Sequence, residues 1–319
     1  MHEFGGRCVL VGPGAIGLYY GGLLARSGVR LWVLARSDYS ALLSSGITLR
    51  MMDADSVDSQ ETYTVQPESV ELKADSIGPA DWIIIAAKAT ANQDILPALQ
   101  TFVKPEKTVI LTLQNGMGNT ELLAKHFPKN PILAGLCFVC VNRVAPAVVE
   151  NYLPGRVEIG SLNDRYSEAA KRAVSAFATA GITCRLAPKL NAAIWRKLCW
   201  NVPFNGLAIA AGGITTDRIL ADDTLVSRAR RLMKEIKEVA AREGYEITDD
   251  FLQGQLDATE KMGAYRPSSL IDFLEGRAVE VDAIFGEPLR RGQKLGVKML
   301  ELEKLYEQVE KAAAHRRLH

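Results

Sequence analysis

Short apolar, β-branched runs alternate with helical patterns through the first half of the chain. Residues 7–11, 30–35, 82–87 and 108–113 read as strands, with covering helices between them. Strands that are apolar on both faces suit a parallel sheet with helices on each side. Residues 133–141 and 182–187 read as further strands, and an Asp- and Ser-rich stretch at 53–60 predicts a surface hairpin or loop. From residue 187 onward the strand pattern stops. A 3.6-residue period then predicts helices over 191–211, 224–243, 249–262, 278–295 and 301–313, the last of them a charged amphipathic helix. The fold class is therefore α/β: a doubly wound N-terminal sheet domain over residues 1–187, then an all-helical domain over 188–319. The boundary falls at Pro188, which ends a strand-like run shortly before a helix begins.

The length of 319 residues fits two domains, and 48% apolar with 24% charged residues excludes a largely disordered chain. A formal charge of +1 supplies no concentrated basic field for nucleic acid or an anionic membrane, so a small-molecule partner is expected. No apolar run is long enough to span a bilayer, and the N-terminus lacks a signal-peptide pattern, which predicts a cytoplasmic protein. Five cysteines, an odd number, argue against a disulfide framework; Cys137 and Cys140 form a CxxC, but inside an apolar strand run, and read as core thiols. The histidines offer little chemistry, since His2, His315 and His319 lie near the termini and His126 on a charged helix. Neither a histidine proton donor nor a metal site is predicted.

Gly12-Pro13-Gly14-Ala15-Ile16-Gly17 follows the first strand and opens a helix, the context in which a GxGxxG pattern indicates dinucleotide binding. The first glycine permits the turn, the second admits a pyrophosphate, and the third allows helix and strand to pack closely. At the end of the second strand, where NAD-binding sites usually carry an acidic residue, stands Arg36, followed by Ser37. These residues suit a 2′-phosphate, so NADP(H) is the expected cofactor, with Asp38 opposing that reading if it faces the ribose. Lys88 and the Gln114-Asn115-Gly116-Met117-Gly118-Asn119 segment end two further strands at the same sheet edge, as a solvated lysine and an ordinary turn would also do.

Lys197, Asn201 and Asn205 recur at i, i+4 and i+8 in a segment otherwise dominated by large apolar residues. The spacing gathers them on one helix face, either as a ligand-facing group with a lysine whose pKa burial would lower, or as a solvated stripe. With the glycine fingerprint, Ala87-Lys88-Ala89, Gln114 to Gly118, Pro267-Ser268-Ser269-Leu270 and Glu280-Val281-Asp282, this helix occurs in the order seen in the ketopantoate reductase family, which the chain resembles over nearly its whole length.

The resemblance implies a Rossmann-type domain followed by a helical domain and NADPH-dependent reduction of 2-dehydropantoate to pantoate, a step of pantothenate synthesis. It implies Lys197 as the catalytic proton donor, Asn115, Asn201, Asn205 and Ser268 as substrate-binding residues, and Lys88, Asn115, Val141 and Glu280 as cofactor contacts beside the glycine loop and Arg36. Ser269 is the alternative to Ser268 if the register slips by one. Two departures lie on the substrate side: Asn205 is followed by Gly206 rather than proline, and Pro203 precedes it and predicts a kink that redirects Asn205. The departures keep open a related reductase acting on another 2-oxo acid or branched carbonyl compound. A dinucleotide sensor that has lost catalysis is a third reading, which Lys197 and Ser268 oppose. A monomer and a homodimer are both compatible with the resemblance.

Overall fold

The computed structural model describes residues 4–52 and 60–316. They fall into two compact units, one of residues 1–114 and 119–190, the other of residues 115–118 and 191–319. The segment 115–118, just after the strand that ends at Thr112, thus belongs with the helical unit.

The first unit is built on strands β1 (Cys8–Val11), β2 (Leu31–Leu34), β3 (Ile47–Met52), β4 (Gln60–Val65), β5 (Ser69–Glu71), β6 (Trp82–Ile85), β7 (Val109–Thr112), β8 (Ile132–Ala145), β9 (Val148–Ser161) and β10 (Cys184–Leu186). They form one sheet in the order β4-β3-β9-β8-β7-β6-β1-β2-β5, with β10 also on β9. Strands β5, β2, β1, β6, β7 and β8 run parallel, whereas β8 with β9 and β3 with β4 are antiparallel. The sheet is therefore mixed, with its parallel part around β1, as the strand-and-helix alternation predicts. Strands β3 and β4 pair antiparallel, and the surface hairpin or loop expected at 53–60 falls between them, with residues 53–59 outside the described residues.

Helices α1 (Ala15–Arg26), α2 (Tyr39–Ser45), α3 (Asn92–Phe102), α4 (Asn119–His126) and α5 (Ser167–Thr179) accompany the sheet. Because strand side chains alternate, β1 feeds two cores. Cys8 and Leu10 join Leu18, Leu24 and Phe177 from α1 and α5 on one face, while Val9 and Val11 join Ile95, Leu99 and Leu123 from α3 and α4 on the other. Each Val, Leu, Ile or Phe side chain among them contributes roughly 1.5–3 kcal/mol by leaving water. The cysteines are free, but the CxxC pair expected in the core, Cys137 and Cys140, is only half-buried, as is Cys184, whereas Cys8 and Cys199 are buried; burial pushes Cys184 and Cys199 up to about 12.

The second unit comprises α6 (Leu190–Ala210), α7 (Thr216–Leu220), α8 (Asp223–Arg242), α9 (Asp249–Glu260), α10 (Ser268–Leu274), α11 (Glu287–Lys294) and α12 (Leu300–Arg316). The expected helix over 278–295 is not continuous: a π-helical turn at Asp282–Gly286 precedes α11, and the N–H of Glu287 reaches back to the Asp282 carbonyl. The short helices α7 and α10 have too few residues to show a period and were not predicted. Pro203 leaves α6 helical through Ala210. Its missing N–H removes one bond inside a helix whose flanks are buried, and that loss does not end the helix.

Helix starts in this unit are capped in two ways. Asp222 and Thr248 cap α8 and α9 with their own side chains, accepting from Thr224 and Leu225 and from Phe251. At α12 the cap comes from another helix, because Glu235 of α8 accepts the N–H groups of Glu301 and Leu302, each at 2.9 Å. Glu235→Ala is expected to destabilise the protein by about 1–2 kcal/mol, since both first-turn donors lose their acceptor. Urea unfolding of the variant beside the wild type measures the loss.

Candidate active site

Gly12 and Gly14 have different reasons to be glycine. Gly12 turns the chain out of β1 with φ +88°, and a Cβ there would stand 2.2 Å from the Ala87 nitrogen. The end of β6 thus lies directly against the loop, which brings the Ala86–Lys88 stretch to the fingerprint. At Gly14 an added Cβ would meet nothing within 4 Å, so no protein atom explains the missing side chain. Ahead of α1 there is no side-chain cap and its first turn holds no acidic residue, an arrangement that suits a phosphate at the helix start. The loop sits where β1 is flanked by β2 on one side and β6 on the other, the switch point at which doubly wound sheets bind ligands.

Arg36 and Ser37 follow β2 and are exposed. Asp38 does not face outward with them. It is 3% exposed, and its carboxylate accepts from Arg143 Nη1 at 2.6 Å, the Ala147 N–H at 3.0 Å and Ser37 Oγ at 2.9 Å. Arg143 and Ala147 bracket the β8–β9 turn, and Ala147 takes a left-handed φ of 59° there. The carboxylate is buried and held by three donors, so removing Arg143 would leave it without its countercharge. The acidic residue that would oppose a 2′-phosphate is therefore engaged within the sheet unit, and Arg36 remains the charged group at the strand end. Val141 lies on β8 and packs half-buried against the α1 side of the sheet.

In the helical unit, α6 is not a solvated amphipathic helix. Trp195, Leu198, Cys199, Val202, Phe204, Leu207 and Ala208 are at most 1% exposed, and among its polar residues Asn201 and Asn205 are buried and Lys197 half-buried. Lys197 Nζ donates to Asn115 Oδ1 at 2.9 Å. This bond unites two residues 82 positions apart that the sequence reading named separately.

Asn115 is held by its neighbours. The Met117 N–H donates to the Ala283 carbonyl at 2.8 Å, and Gly116, at φ +84°, approaches so closely that a Cβ would stand 2.4 Å from the same oxygen. That carbonyl is available because the π turn shifts its usual helical partner, Glu287, to Asp282, and the next candidate, Pro288, has no N–H. The sequence reading missed Ala283, whose signal was the proline following an apolar turn.

Ser268 is exposed in the first turn of α10, whereas Ser269 is buried and donates its backbone N–H to Asn205 Oδ1 at 3.0 Å. Asn205 Nδ2 in turn donates to the Asn201 carbonyl at 3.0 Å. Asn205, expected to touch substrate, is 1% exposed, and its amide joins α6 to α10 through these two bonds. Gly206 also has a packing cause, since a Cβ there would lie 2.5 Å from Leu305 and 2.9 Å from Phe285. Thr215, directly ahead of α7, donates its hydroxyl to Asp217. Glu280 is 5% exposed just before the π turn, and its carbonyl accepts the Ile284 N–H.

Gly12→Ala is expected to cost about 2 kcal/mol or more, because the methyl meets backbone at positive φ, while Gly14→Ala stays within about 1 kcal/mol of wild type. Thermal or urea unfolding of the two variants distinguishes them.

Two family models match the chain, ketopantoate reductase PanE/ApbA over residues 8–164 and its C-terminal counterpart over residues 189–313. A 2-dehydropantoate 2-reductase of a Nostoc species is 33% identical over 308 residues, covering 95% of this chain and 94% of the relative. The crystal structure of 2-dehydropantoate 2-reductase from Geobacter metallireducens superposes with a TM-score of 0.88 at 35% identity, over 96% of this chain and 99% of that one. A D-mandelate dehydrogenase solved with NADH and anilino(oxo)acetate shares the fold, with a TM-score of 0.86 at 23% identity over 97% and 99% of the two chains. By the family models and the Nostoc relative together, the chain belongs to the ketopantoate reductase family.

Proposed function

We propose that this protein reduces 2-dehydropantoate to pantoate with NADPH, in the cytoplasmic synthesis of pantothenate, with residues 1–187 binding the cofactor and 188–319 carrying the substrate chemistry. The observation that carries the reading is the hydrogen bond from Lys197 to Asn115 on an otherwise buried helix, in a chain of this family. A bound reduced nicotinamide supplies the hydride. Gly12, Pro13, Gly14, Ala15, Ile16 and Gly17 receive its pyrophosphate, and the space at Gly14 with the uncapped start of α1 supports that role. Arg36 holds the 2′-phosphate, supported by the withdrawal of Asp38 into its pair with Arg143. Lys88, Asn115, Val141 and Glu280 are assigned to the cofactor by family resemblance.

Lys197 is the proton donor. Its ammonium bonds to the 2-oxo oxygen, and a proton passes to that oxygen as negative charge develops on it; solvent then restores the lysine proton. Asn115 orients the ammonium by accepting one of its bonds, Asn201 binds the substrate's polar groups, and Ser268 binds its carboxylate. This assignment places the charged and bonded groups at the reacting carbonyl and at the carboxylate, the two features that define a 2-oxo acid.

Steady-state NADPH oxidation with 2-dehydropantoate beside a panel of other 2-oxo acids tests the reading. A kcat/KM for 2-dehydropantoate well above the others is expected, and equal turnover across the panel replaces the named substrate with a broader 2-oxo acid class. Lys197→Ala should lower kcat by about 10²–10⁴-fold with NADPH binding retained. Arg36→Ala should lower kcat/KM for NADPH about tenfold or more while leaving NADH little changed, measured by varying each cofactor.

A further inference from the structure

Helix α10 begins without a local cap. Its N-cap position is Pro267, which offers no side-chain acceptor, so the first-turn N–H of Ser269 needs an oxygen from elsewhere. That oxygen is Asn205 Oδ1, presented 64 residues earlier in the chain by α6, and the other half of the same amide is tied to the α6 backbone at Asn201. Asn205 is 1% exposed and Ser269 3%, so neither end of this link is exchanged for water. Directly before Ser269 stands exposed Ser268, and one and two turns back along α6 from Asn205 stand Asn201 and Lys197.

We propose that Asn205 is a positioning residue: by capping α10 from α6 it fixes where Ser268 stands relative to Lys197 and Asn201, and so sets the spacing at which a 2-oxo acid is held by its carboxylate and its carbonyl. The inference rests on the reading of Ser268 and Lys197 as substrate residues, yet its structural half is independent of any substrate. The side-chain amide is suited to the task because Oδ1 accepts from α10 while Nδ2 donates to α6, whereas an ionised carboxylate could only accept. Position 206 reinforces it, since the close approach of Leu305 and Phe285 at Gly206 holds this part of α6 against its neighbours.

Amide hydrogen exchange on the full-length, substrate-free protein, combined with kinetics, tests the proposal. Asn205→Ala should raise exchange in the 267–274 segment about tenfold or more, and raise KM for the 2-oxo acid with kcat within a few-fold of wild type. Ser268→Ala should raise KM while leaving that exchange unchanged. Unaltered exchange in Asn205→Ala overturns the proposal, as does a fall in kcat at constant KM, which would mark Asn205 as acting at the reacting atoms. Should Asn205→Ala not fold, the wild type still decides: the Ser269 amide should exchange at least about tenfold more slowly than the Ser268 amide, corrected for intrinsic rates, and equal rates overturn the proposal. If exchange responds as expected but no 2-oxo acid is turned over, the proposed reaction falls and the capping role stands.

Discussion

Polar groups inside a helical bundle cost several kcal/mol unless each one meets a partner, and the second unit is organised around meeting that demand for α6. The helix is apolar on nearly all sides and still carries Lys197, Asn201 and Asn205 along one face, while nearer its start Asn191 Oδ1 is buried without a partner. Lys197 is answered by Asn115, and Asn205 by Ser269 and by Asn201. Each answer recruits a different stretch of chain: the segment after β7 in the first case, the start of α10 in the second. Ordinary packing would tolerate shifts of these segments, whereas hydrogen bonds with fixed direction do not. The groups that make α6 costly to bury are thus also the ones that set the register of its surroundings.

A second consequence is that helix starts here depend on other helices. An end with a local cap, such as α8 with Asp222 or α9 with Thr248, is specified by its own sequence. An end capped from a distance forms only when the bundle has assembled, as at α12 through Glu235 and at α10 through Asn205. Such ends contribute to cooperativity, because losing the tertiary contact also loses the first turn. Glu235 shows the opposing terms: burial raises its pKa while the two N–H groups of α12 lower it, and burial is the larger effect.

Legibility in the sequence follows the range of the interaction. Strands β1, β2, β6 and β7 and the long helices were readable because their burial is periodic and local, and Lys197, Asn201 and Asn205 were readable as a group because a helix brings i, i+4 and i+8 together. The antiparallel pairing of β8 with β9 was not, since pairing partners are chosen by the whole sheet. Helices α7 and α10 span five and seven residues, fewer than a period needs to declare itself. Arg143 could not be foreseen as the partner of Asp38, 105 residues away, nor Asn205 as a cap, because a buried amide reads the same whether it serves a ligand or a helix end.

The positions that violate local rules are informative for the same reason. A proline inside α6 and an alanine at φ 59° carry a conformational cost, while the glycines at positive φ in the loops after β1 and β7 and the proline at the start of α11 answer local demands of the backbone. In three of these places a specific contact accompanies the unusual backbone. Gly12 lets Ala87 approach, Ala147 gives its N–H to Asp38, and the π turn before Pro288 releases the Ala283 carbonyl to Met117, two residues from Asn115. Pro203 sits inside α6, which runs on to Ala210, and the other departure from the family pattern, Gly206, has a packing cause in the close approach of Leu305 and Phe285.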